Sequence, residues 1–286
     1  MAHYPYTLVD VFAAAPLQGN MLPVIHDADA ISTETMRHVA SRFRLSETSF
    51  LQSAPEPHQT YRHRIFTVEQ ELPFAGHPSI GSAAAWAKRR GLSEAEVVQL
   101  TASGEQRLHV KLDGSTAVID LWQNPAEFGG EGSFETALRA LGLPMDARHP
   151  SLPPQIVSTG LPTLLVPLAS ADLLRQITID WNALDEARAV PGGDLPLGVY
   201  VAGPAAADHW RARLFARDIP GGEDAATGSA AGPLGAYLKH YTGQTSIVID
   251  QGIEMGSPSR ILVRTDDGIV VSGEVQFLAE GTIALD

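Results

Sequence analysis

The chain has 286 residues, of which 44% are hydrophobic and 19% are charged, and its formal net charge at pH 7 is −13. This length predicts one large domain or two of ordinary size, and the acidic balance argues against nucleic acid or an anionic membrane as a partner. The chain contains no cysteine, which excludes disulfides, zinc–thiolate sites and thiol nucleophiles. Neither a secretion signal nor a long apolar span is visible, so we expect a cytoplasmic protein.

The first 124 residues alternate between strand and helix patterns. Residues 31–43 have apolar side chains at helical spacing, with Ser32 and Thr33 as candidate N-caps. The segment LSETSFL then places Glu47 between the helix end and a strand. The local sequence alone supports a site residue and a solvated surface acid about equally. The other patterns in this part predict strands at 6–12, 21–25, 61–67, 97–101, 106–112 and 117–122.

The segment ELPFAGHPSIGSAAAWAKRRG has well-marked helix boundaries. Pro78 suits the first helical position because its missing N–H would have no partner there, which puts His77 at the N-cap. Residues 88–90 are basic and complement the helix dipole in the last turn, and Gly91 can end the helix in a left-handed conformation. We therefore predict a helix that begins next to His77 and ends before Gly91.

Proline and glycine are frequent in residues 124–132, NPAEFGGEG, which is the best candidate for a domain boundary. We expect an N-terminal lobe of residues 1–124 and a C-terminal lobe of residues 125–286, and leave open whether the final strand returns to the first lobe. The patterns after the boundary predict helices at 134–141, 173–177 and 181–189, and strands at 155–158, 163–168, 197–202, 210–215, 246–250, 259–264, 269–273 and 274–277.

A strand, an acidic turn and a helix of small residues follow one another between Arg213 and Tyr241. The helix has little side chain with which to pack, so it is stable only if neighbouring backbone closes tightly around it, and we expect it to be buried. Its first turn carries unpaired N–H groups that favour an anion, and Asp224 lies just before it. A buried helix N-terminus beside a carboxylate predicts a binding site.

The two halves of the chain resemble each other around these helices. RIF at 64–66 precedes GHPSIGSAAAWA, and RLF at 213–215 precedes EDAATGSAAGPL, so a strand and a turn lead to Gly-Ser-Ala-Ala in both halves. The spacing from the arginine to this glycine is 17 positions in the first half and 15 in the second. A duplication would give two strand layers, each wrapped around one helix, with His77 and Asp224 lining a cleft that suits a small acid.

Four blocks carry a family resemblance: LSET around Glu47, ELPFAGHPSIGSA around His77, EDAATGSAAGPL around Asp224, and QGIEMGSPSR at 251–260. Together with VDVFAAAPLQGN near the start, they resemble the PhzF phenazine-biosynthesis family over most of the chain. Residues 127–195 match poorly, and TVEQE stands where TPxxE is usual. The resemblance implies an α+β fold similar to diaminopimelate epimerase, in which two pseudo-symmetric halves each form a curved, mostly antiparallel sheet or barrel around a central helix. It also implies a homodimer.

The resemblance further implies an activity and its residues. Phenazine-pathway members isomerise trans-2,3-dihydro-3-hydroxyanthranilate, a step of antibiotic biosynthesis, by moving a proton on the ring without a cofactor or metal. We therefore expect a cofactor-independent isomerase whose partner is a small-molecule carboxylate substrate.

The resemblance also implies which residues form the site. By the matching motifs, the catalytic residues are Glu47, His77 and Asp224, and the substrate-binding residues are Ser46, Gly76, Gly228 and Ser229. Glu47 would be the general acid/base. His77 and Asp224 would hold the amino and hydroxyl region, and Ser229 with the helix start at Gly228 would bind the carboxylate.

Each of these residues also has an ordinary structural role to weigh. His77 before Pro78 is typical of a helix cap, Asp224 of an Asx turn, and Ser229 of a capping hydroxyl. The remaining histidines show no metal-ligand spacing, and the Gly-rich GGEDAATGSAAG is not a P-loop. Two other functions remain open: a racemase, epimerase or isomerase of the same fold that acts on another small carboxylate, and a non-catalytic ligand-binding protein.

Overall fold

Seventeen strands are joined by hydrogen bonds in the computed structural model, which describes residues 1–190, 196 and 198–285. The first part of the chain contains β1 (Ala2–Val11), β2 (Asn20–Ile25), α1 (Thr33–Phe43), β3 (Thr48–Gln52), β4 (Tyr61–Phe66), β5 (Glu71–Leu72), α2 (Gly76–Arg89), β6 (Glu94–Thr101), β7 (Gly104–Asp113) and β8 (Thr116–Gln123). The second part contains β9 (Glu127–Glu131), α3 (Phe134–Ala140), β10 (Gln155–Ser158), β11 (Pro162–Pro167), α4 (Trp181–Arg188), β12 (Gly198–Pro204), β13 (His209–Phe215), β14 (Glu223–Asp224), α5 (Gly228–Thr242), β15 (Ser246–Gln251), β16 (Ser259–Arg264) and β17 (Ile269–Leu285).

The first ring of strands surrounds α2. Its strands pair in the order β1, β2, β3, β4, β6, β7, β8, β17 and back to β1, so the ring is closed. Every residue of α2 from Gly76 to Ala85 is buried inside it. A Cβ on Gly81 would lie 2.7 Å from Leu22 Cδ2 and 2.8 Å from Val11 Cγ2, because side chains of the wall reach the helix backbone. The small residues of α2 are therefore what allows the ring to close around it.

The second ring surrounds α5 in the same way. Its strands pair in the order β10, β11, β12, β13, β15, β16, β17 and β8, and the chain continues from β8 into β9, which pairs with β10. All residues of α5 from Gly228 to Leu238 are buried, and a Cβ on Gly235 would lie 2.5 Å from Val263 Cγ1. The prediction of a buried small-residue helix is confirmed, since neighbouring side chains occupy the space that larger residues would need.

The final strand belongs to both rings. Residues 269–276 of β17 pair with β8, and residues 275–285 pair with β1. The sequence patterns had predicted two separate strands here, at 269–273 and 274–277, and this division is wrong. A Cβ on Gly273 would lie 2.7 Å from Phe12 Cε1, so the glycine marks the close approach of an aromatic ring and not a turn. The lobe boundary between residues 124 and 125 remains a prediction.

The internal repeat extends to the pairing of the strands. Strands β1 to β8 have counterparts in β10 to β17, and the parallel pairs β2–β3 and β4–β6 correspond to β11–β12 and β13–β15. Arg64 donates two hydrogen bonds to Glu71, each 2.7 Å long, and Arg213 donates two of the same length to Glu223. The expectation of two pseudo-symmetric halves, each around a central helix, is confirmed.

The register of the repeat differs from the sequence prediction. Helix α2 begins at Gly76 and α5 at Gly228, so these two glycines correspond, whereas the Gly-Ser-Ala-Ala match had paired Gly228 with Gly81. The hairpin turn before the helix spans residues 67–70 in the first half and 216–222 in the second, which shifts the helix start by three positions. The residue that corresponds to Ser229 is therefore His77, the second residue of its helix.

Several local predictions are corrected by the structure. Ala75 is the N-cap of α2, so His77 does not cap the helix and Pro78 is its third residue. The Pro/Gly-rich segment 124–132 contains β9, which pairs with β10, and the helix predicted at 173–177 is a 3-10 helix at Ala171–Gln176. The strand predicted at 197–202 is described from Gly198 onward, and Leu197 lies outside the described residues.

The outer surfaces of the rings carry the remaining helices. Helix α1 packs Met36, Val39 and Ala40 against apolar residues of β2, β3 and β4, and Ser32 caps it by accepting a hydrogen bond from Thr35 N–H. Helices α3 and α4 pack together over the second ring. Within the described residues, no helix is long and apolar enough to cross a membrane.

Candidate active site

The first residues of α2 and α5 are in backbone contact where the two rings meet. A Cβ on Gly76 would clash with Ser229 N and would lie 2.5 Å from the carbonyl carbon of Gly228. A Cβ on Gly228 would lie 3.3 Å from Gly76 Cα and 3.0 Å from Phe12 Cζ. Glycine at both positions therefore brings two helix N-termini, and their unpaired N–H groups, to one point.

A small cavity opens at this point. Its wall combines residues of both rings and includes the sequence-predicted Glu47, Gly76, His77, Asp224, Gly228 and Ser229. A third carboxylate, Asp218, also lines it, and the described lining residues include no lysine or arginine. Of the seven predicted site residues, Ser46 alone is not part of the wall, but its hydroxyl donates a 3.2 Å hydrogen bond to Asp224 Oδ1.

Glu47 lies between α1 and β3 and is 7% exposed. Its Oε2 atom is 3.4 Å from His77 Nε2, yet both atoms are buried and have no hydrogen-bond partner among the described residues. Burial raises the pKa of Glu47 well above its ordinary value, and the nearby carboxylates of Asp224 and Asp218 raise it further. This carboxyl therefore holds its proton at a higher pH than a surface glutamate does.

His77 is a neutral imidazole in this site. Burial lowers its pKa to about 3, because the charged form would lose its hydration without gaining a strong partner. The ring is the second residue of α2, where the helix dipole also disfavours a positive charge. Although Nε2 faces Glu47, the pair is therefore not a salt bridge, and His77 offers one N–H donor and one acceptor nitrogen.

Asp224 is the carboxylate with the larger number of hydrogen bonds. Oδ2 accepts from the Thr227 hydroxyl at 2.6 Å, and Oδ1 accepts from Asn20 Nδ2 at 2.7 Å as well as from Ser46. Burial raises the pKa of Asp224 to about 6, while these donors and the backbone N–H of Ala225 lower it. Glu47 Oε2 receives no such bonds among the described residues, so nothing offsets the rise that burial causes in the pKa of Glu47.

Two polar residues that sequence reasoning missed hold this arrangement together. Asn20, the first residue of β2, contacts both Asp224 and His77. Gln251, the last residue of β15, donates to Asp224 O at 2.9 Å and to Thr227 Oγ1 at 2.9 Å, and accepts from Thr227 N–H at 3.1 Å. Both stand inside blocks of the family resemblance, LQGN and QGIE. An amide side chain at one end of a predicted strand, within a block of the family resemblance, was the signal that could have identified them.

The free energy of unfolding should fall as the pH rises, because the folded protein disfavours the ionised form of Glu47. Its pKa is higher in the folded protein than the ordinary 4.5, so the stabilising effect of its bound proton is complete below that value and is lost as the pH rises through the folded pKa. We expect Glu47→Gln to gain stability relative to wild type between pH 4 and pH 8, by about 1–3 kcal/mol at the upper end. Urea denaturation across this range measures the difference, and a difference independent of pH would contradict the raised pKa.

Comparison with known proteins places the chain in a family. Residues 9–281 match the PhzC-PhzF family, described as phenazine biosynthesis-like protein. The chain belongs to this family. A Pseudomonas aeruginosa trans-2,3-dihydro-3-hydroxyanthranilate isomerase is 34% identical in an alignment of 290 positions, which covers 96% of this chain and 98% of that protein. An uncharacterised isomerase of Mesorhizobium japonicum is 34% identical in an alignment of 267 positions, which covers 90% of this chain and 88% of that protein.

A solved structure supports the same assignment. A predicted epimerase from Pseudomonas aeruginosa superimposes with a TM-score of 0.85 at 35% identity, and the match covers 99% of this chain and 100% of the other. The expected PhzF family and its two-ring α+β fold are therefore confirmed. Since relatives similar over nearly their whole length are isomerases, this PhzF-family chain is an isomerase.

Proposed function

We propose that this PhzF-family isomerase moves a proton on the ring of a small cyclic amino acid without a cofactor, with trans-2,3-dihydro-3-hydroxyanthranilate as the leading substrate. The observation that carries the proposal is the pair of buried atoms, Glu47 Oε2 and His77 Nε2, which are 3.4 Å apart and have no hydrogen-bond partner among the described residues. Buried polar atoms are normally satisfied, so an unsatisfied pair at a cavity wall is typical of groups that meet a substrate. The 34% identity to an enzyme named for this substrate supports its choice.

Glu47 transfers the proton in the proposed reaction. Its carboxylate removes a proton from one ring carbon, and the electrons of the broken C–H bond move into the conjugated ring. The resulting carboxylic acid returns the proton to a second ring carbon, so nothing is oxidised or reduced and Glu47 ends in its starting state. A raised pKa suits both halves of this cycle, because it makes the carboxylate a stronger base and keeps the acid form populated at higher pH.

The charges around the cavity fit an amino acid with both an ammonium and a carboxylate group. Asp224 and Asp218 attract the ammonium group, and the described cavity wall offers no basic side chain for the carboxylate. We assign the carboxylate to the first-turn N–H groups of α5 and the hydroxyl of Ser229, because a helix N-terminus binds anions without a side-chain cation. In this scheme Ser46 orients Asp224, and Gly76 and Gly228 keep the two helix starts together.

Turnover of trans-2,3-dihydro-3-hydroxyanthranilate in D₂O tests the proposal. We expect ¹H NMR to show formation of an isomer, with any deuterium confined to the ring carbons that lose or gain the proton. Calorimetry of the same mixture reports whether the compound binds. Heat of binding without any isomer would contradict this substrate and leave another small carboxylate, or ligand binding alone, as the function of the cavity.

A second candidate reaction is racemisation or epimerisation of another small carboxylate. It is favoured by the presence of two buried carboxyls with raised pKa values, Glu47 and Asp224, in one cavity, since inversion at a carbon atom uses one acid/base on each face. Exchange of the α-hydrogen of a chiral amino acid with D₂O, with loss of optical rotation, would favour this reaction. The homodimer and the phenazine pathway implied by the family resemblance remain predictions.

A further inference from the structure

Asn20 connects the two rings through a single amide nitrogen. The residue is buried, and its Nδ2 atom lies 2.7 Å from Asp224 Oδ1, 3.1 Å from the carbonyl oxygen of Ala226 and 3.3 Å from His77 Nδ1. Its partners are 57, 204 and 206 positions away in the sequence. This one group therefore contacts both halves of the cavity wall.

The surroundings fix which end of the Asn20 amide is the nitrogen. The Ala226 carbonyl oxygen can only accept a hydrogen bond, whatever the pH. Asp224 Oδ1 also accepts, since it receives a bond from the Ser46 hydroxyl. If the amide were rotated by half a turn, its oxygen would face two acceptor oxygens, which is repulsive. The NH₂ group must therefore face Asp224, Ala226 and His77.

This orientation determines the tautomer of His77. An amide NH₂ group has two hydrogens, which three neighbouring acceptors share here, and it cannot accept a hydrogen bond. A hydrogen on Nδ1 would face these amide hydrogens, so the 3.3 Å contact is attractive only if Nδ1 carries a lone pair. The hydrogen of the neutral ring is then on Nε2, the atom that lies 3.4 Å from Glu47 Oε2. The hydrogen bond made by one ring nitrogen thus sets the state of the other, as is usual for functional histidines.

We propose that Asn20 is a positioning residue that holds His77 as the Nε2–H tautomer, so that an N–H donor and not a lone pair faces Glu47 and the substrate. The inference rests on the proposed function for its effect on catalysis. In the opposite tautomer, the Nε2 lone pair would accept a hydrogen bond from the protonated Glu47 carboxyl and keep that proton from the substrate. As the Nε2–H tautomer, His77 leaves the Glu47 proton free and donates to a substrate oxygen or nitrogen instead.

Nitrogen NMR of His77 tests the proposal without a substrate. In ¹⁵N-labelled wild type, we expect two-bond ¹H–¹⁵N correlations to show a protonated Nε2 and an unprotonated, hydrogen-bonded Nδ1. The His77 signals are assigned by their absence in His77→Gln. A proton on Nδ1 in wild type would overturn the proposal, and this result would be independent of whether the proposed reaction occurs.

Asn20→Leu removes the amide donor without placing a further acceptor beside Asp224 Oδ1 and the Ala226 carbonyl oxygen. Without the amide hydrogens the Nδ1–H tautomer of His77 is no longer repelled, so we expect its share to rise and the Nε2 signal to move toward the unprotonated position. We also expect kcat to fall by roughly 10–100-fold, with a smaller change in KM, as when the partner that orients a functional histidine is lost. An Nε2 signal that stays at the wild-type position in the folded variant would overturn the proposal. If the variant does not fold, the wild-type spectrum decides.

Ser46→Ala is the matched control for the spectrum. It removes another hydrogen bond to the same Asp224 Oδ1 atom, 3.2 Å long, but Ser46 makes no contact with His77 Nδ1 among the described hydrogen bonds. We expect the His77 nitrogen signals to keep the Nε2–H pattern in this variant. A change of tautomer in Ser46→Ala would mean that Asp224, and not Asn20, determines the state of His77, and would overturn the proposal.

Discussion

Glu47→Gln is expected to lower kcat for proton transfer by roughly 10²–10⁴-fold, the usual contribution of a positioned acid/base. The amide has the size of the carboxyl but can neither take nor return a proton near neutral pH. We expect binding to persist, because Glu47 Oε2 makes no hydrogen bond that the substitution would break among the described residues. Turnover followed by NMR and binding followed by calorimetry measure the two effects separately.

The control for this experiment is Glu34→Gln, the same change at an exposed residue in the first turn of α1. The expected gain in stability of Glu47→Gln at pH 8 makes its loss of turnover interpretable, since a more stable protein has not lost activity by unfolding. Wild-type turnover by Glu47→Gln would show that another group transfers the proton. Asp224, the second carboxyl with a raised pKa, would be the first residue to examine in that case.

Gly76→Ala is expected to destabilise the protein by several kcal/mol and to abolish activity. The new methyl group would meet backbone atoms of Gly228 and Ser229, the nearest being Ser229 N. Backbone at a helix start cannot rotate away as a side chain can, so α2 and α5 would have to separate. Alanine is the better helix former by about 1 kcal/mol, but this gain is smaller than the cost of forcing two buried helices apart.

A graded series of glycine substitutions checks this explanation by urea denaturation. Gly81→Ala meets only side-chain atoms, the nearest at 2.7 Å, and we expect an intermediate loss because Leu22 and Val11 can shift. Gly129→Ala meets Ile156 at 3.2 Å, and we expect a change within about 1 kcal/mol. Wild-type stability and activity of Gly76→Ala would contradict the close backbone contact between the helices.

The sequence predicted most elements but not the lengths of the connections that align the two halves. Some features could be predicted because they depend on residue types within one or two helical turns. They are the N-cap Ser32 of α1, the left-handed Gly91 after the end of α2, and the burial of α5. The correspondence of Gly76 with Gly228 could not be predicted from local sequence, because it depends on how many residues the hairpin turn before each helix contains. A repeated Gly-Ser-Ala-Ala string was a weaker guide than the strand pairing around it.

The sequence alone determined which side-chain groups are available for catalysis. The absence of cysteine, the acid before the small-residue helix and the PhzF-type blocks pointed to carboxylates and a histidine before any contact was known. Tertiary structure decided which of these groups share a cavity, which carboxyl is buried without hydrogen-bond donors, and which way the Asn20 amide points. The physical reason is that local sequence encodes interactions over a few residues. Desolvation and hydrogen bonding in the site depend instead on burial and on contacts between residues as far as 204 positions apart.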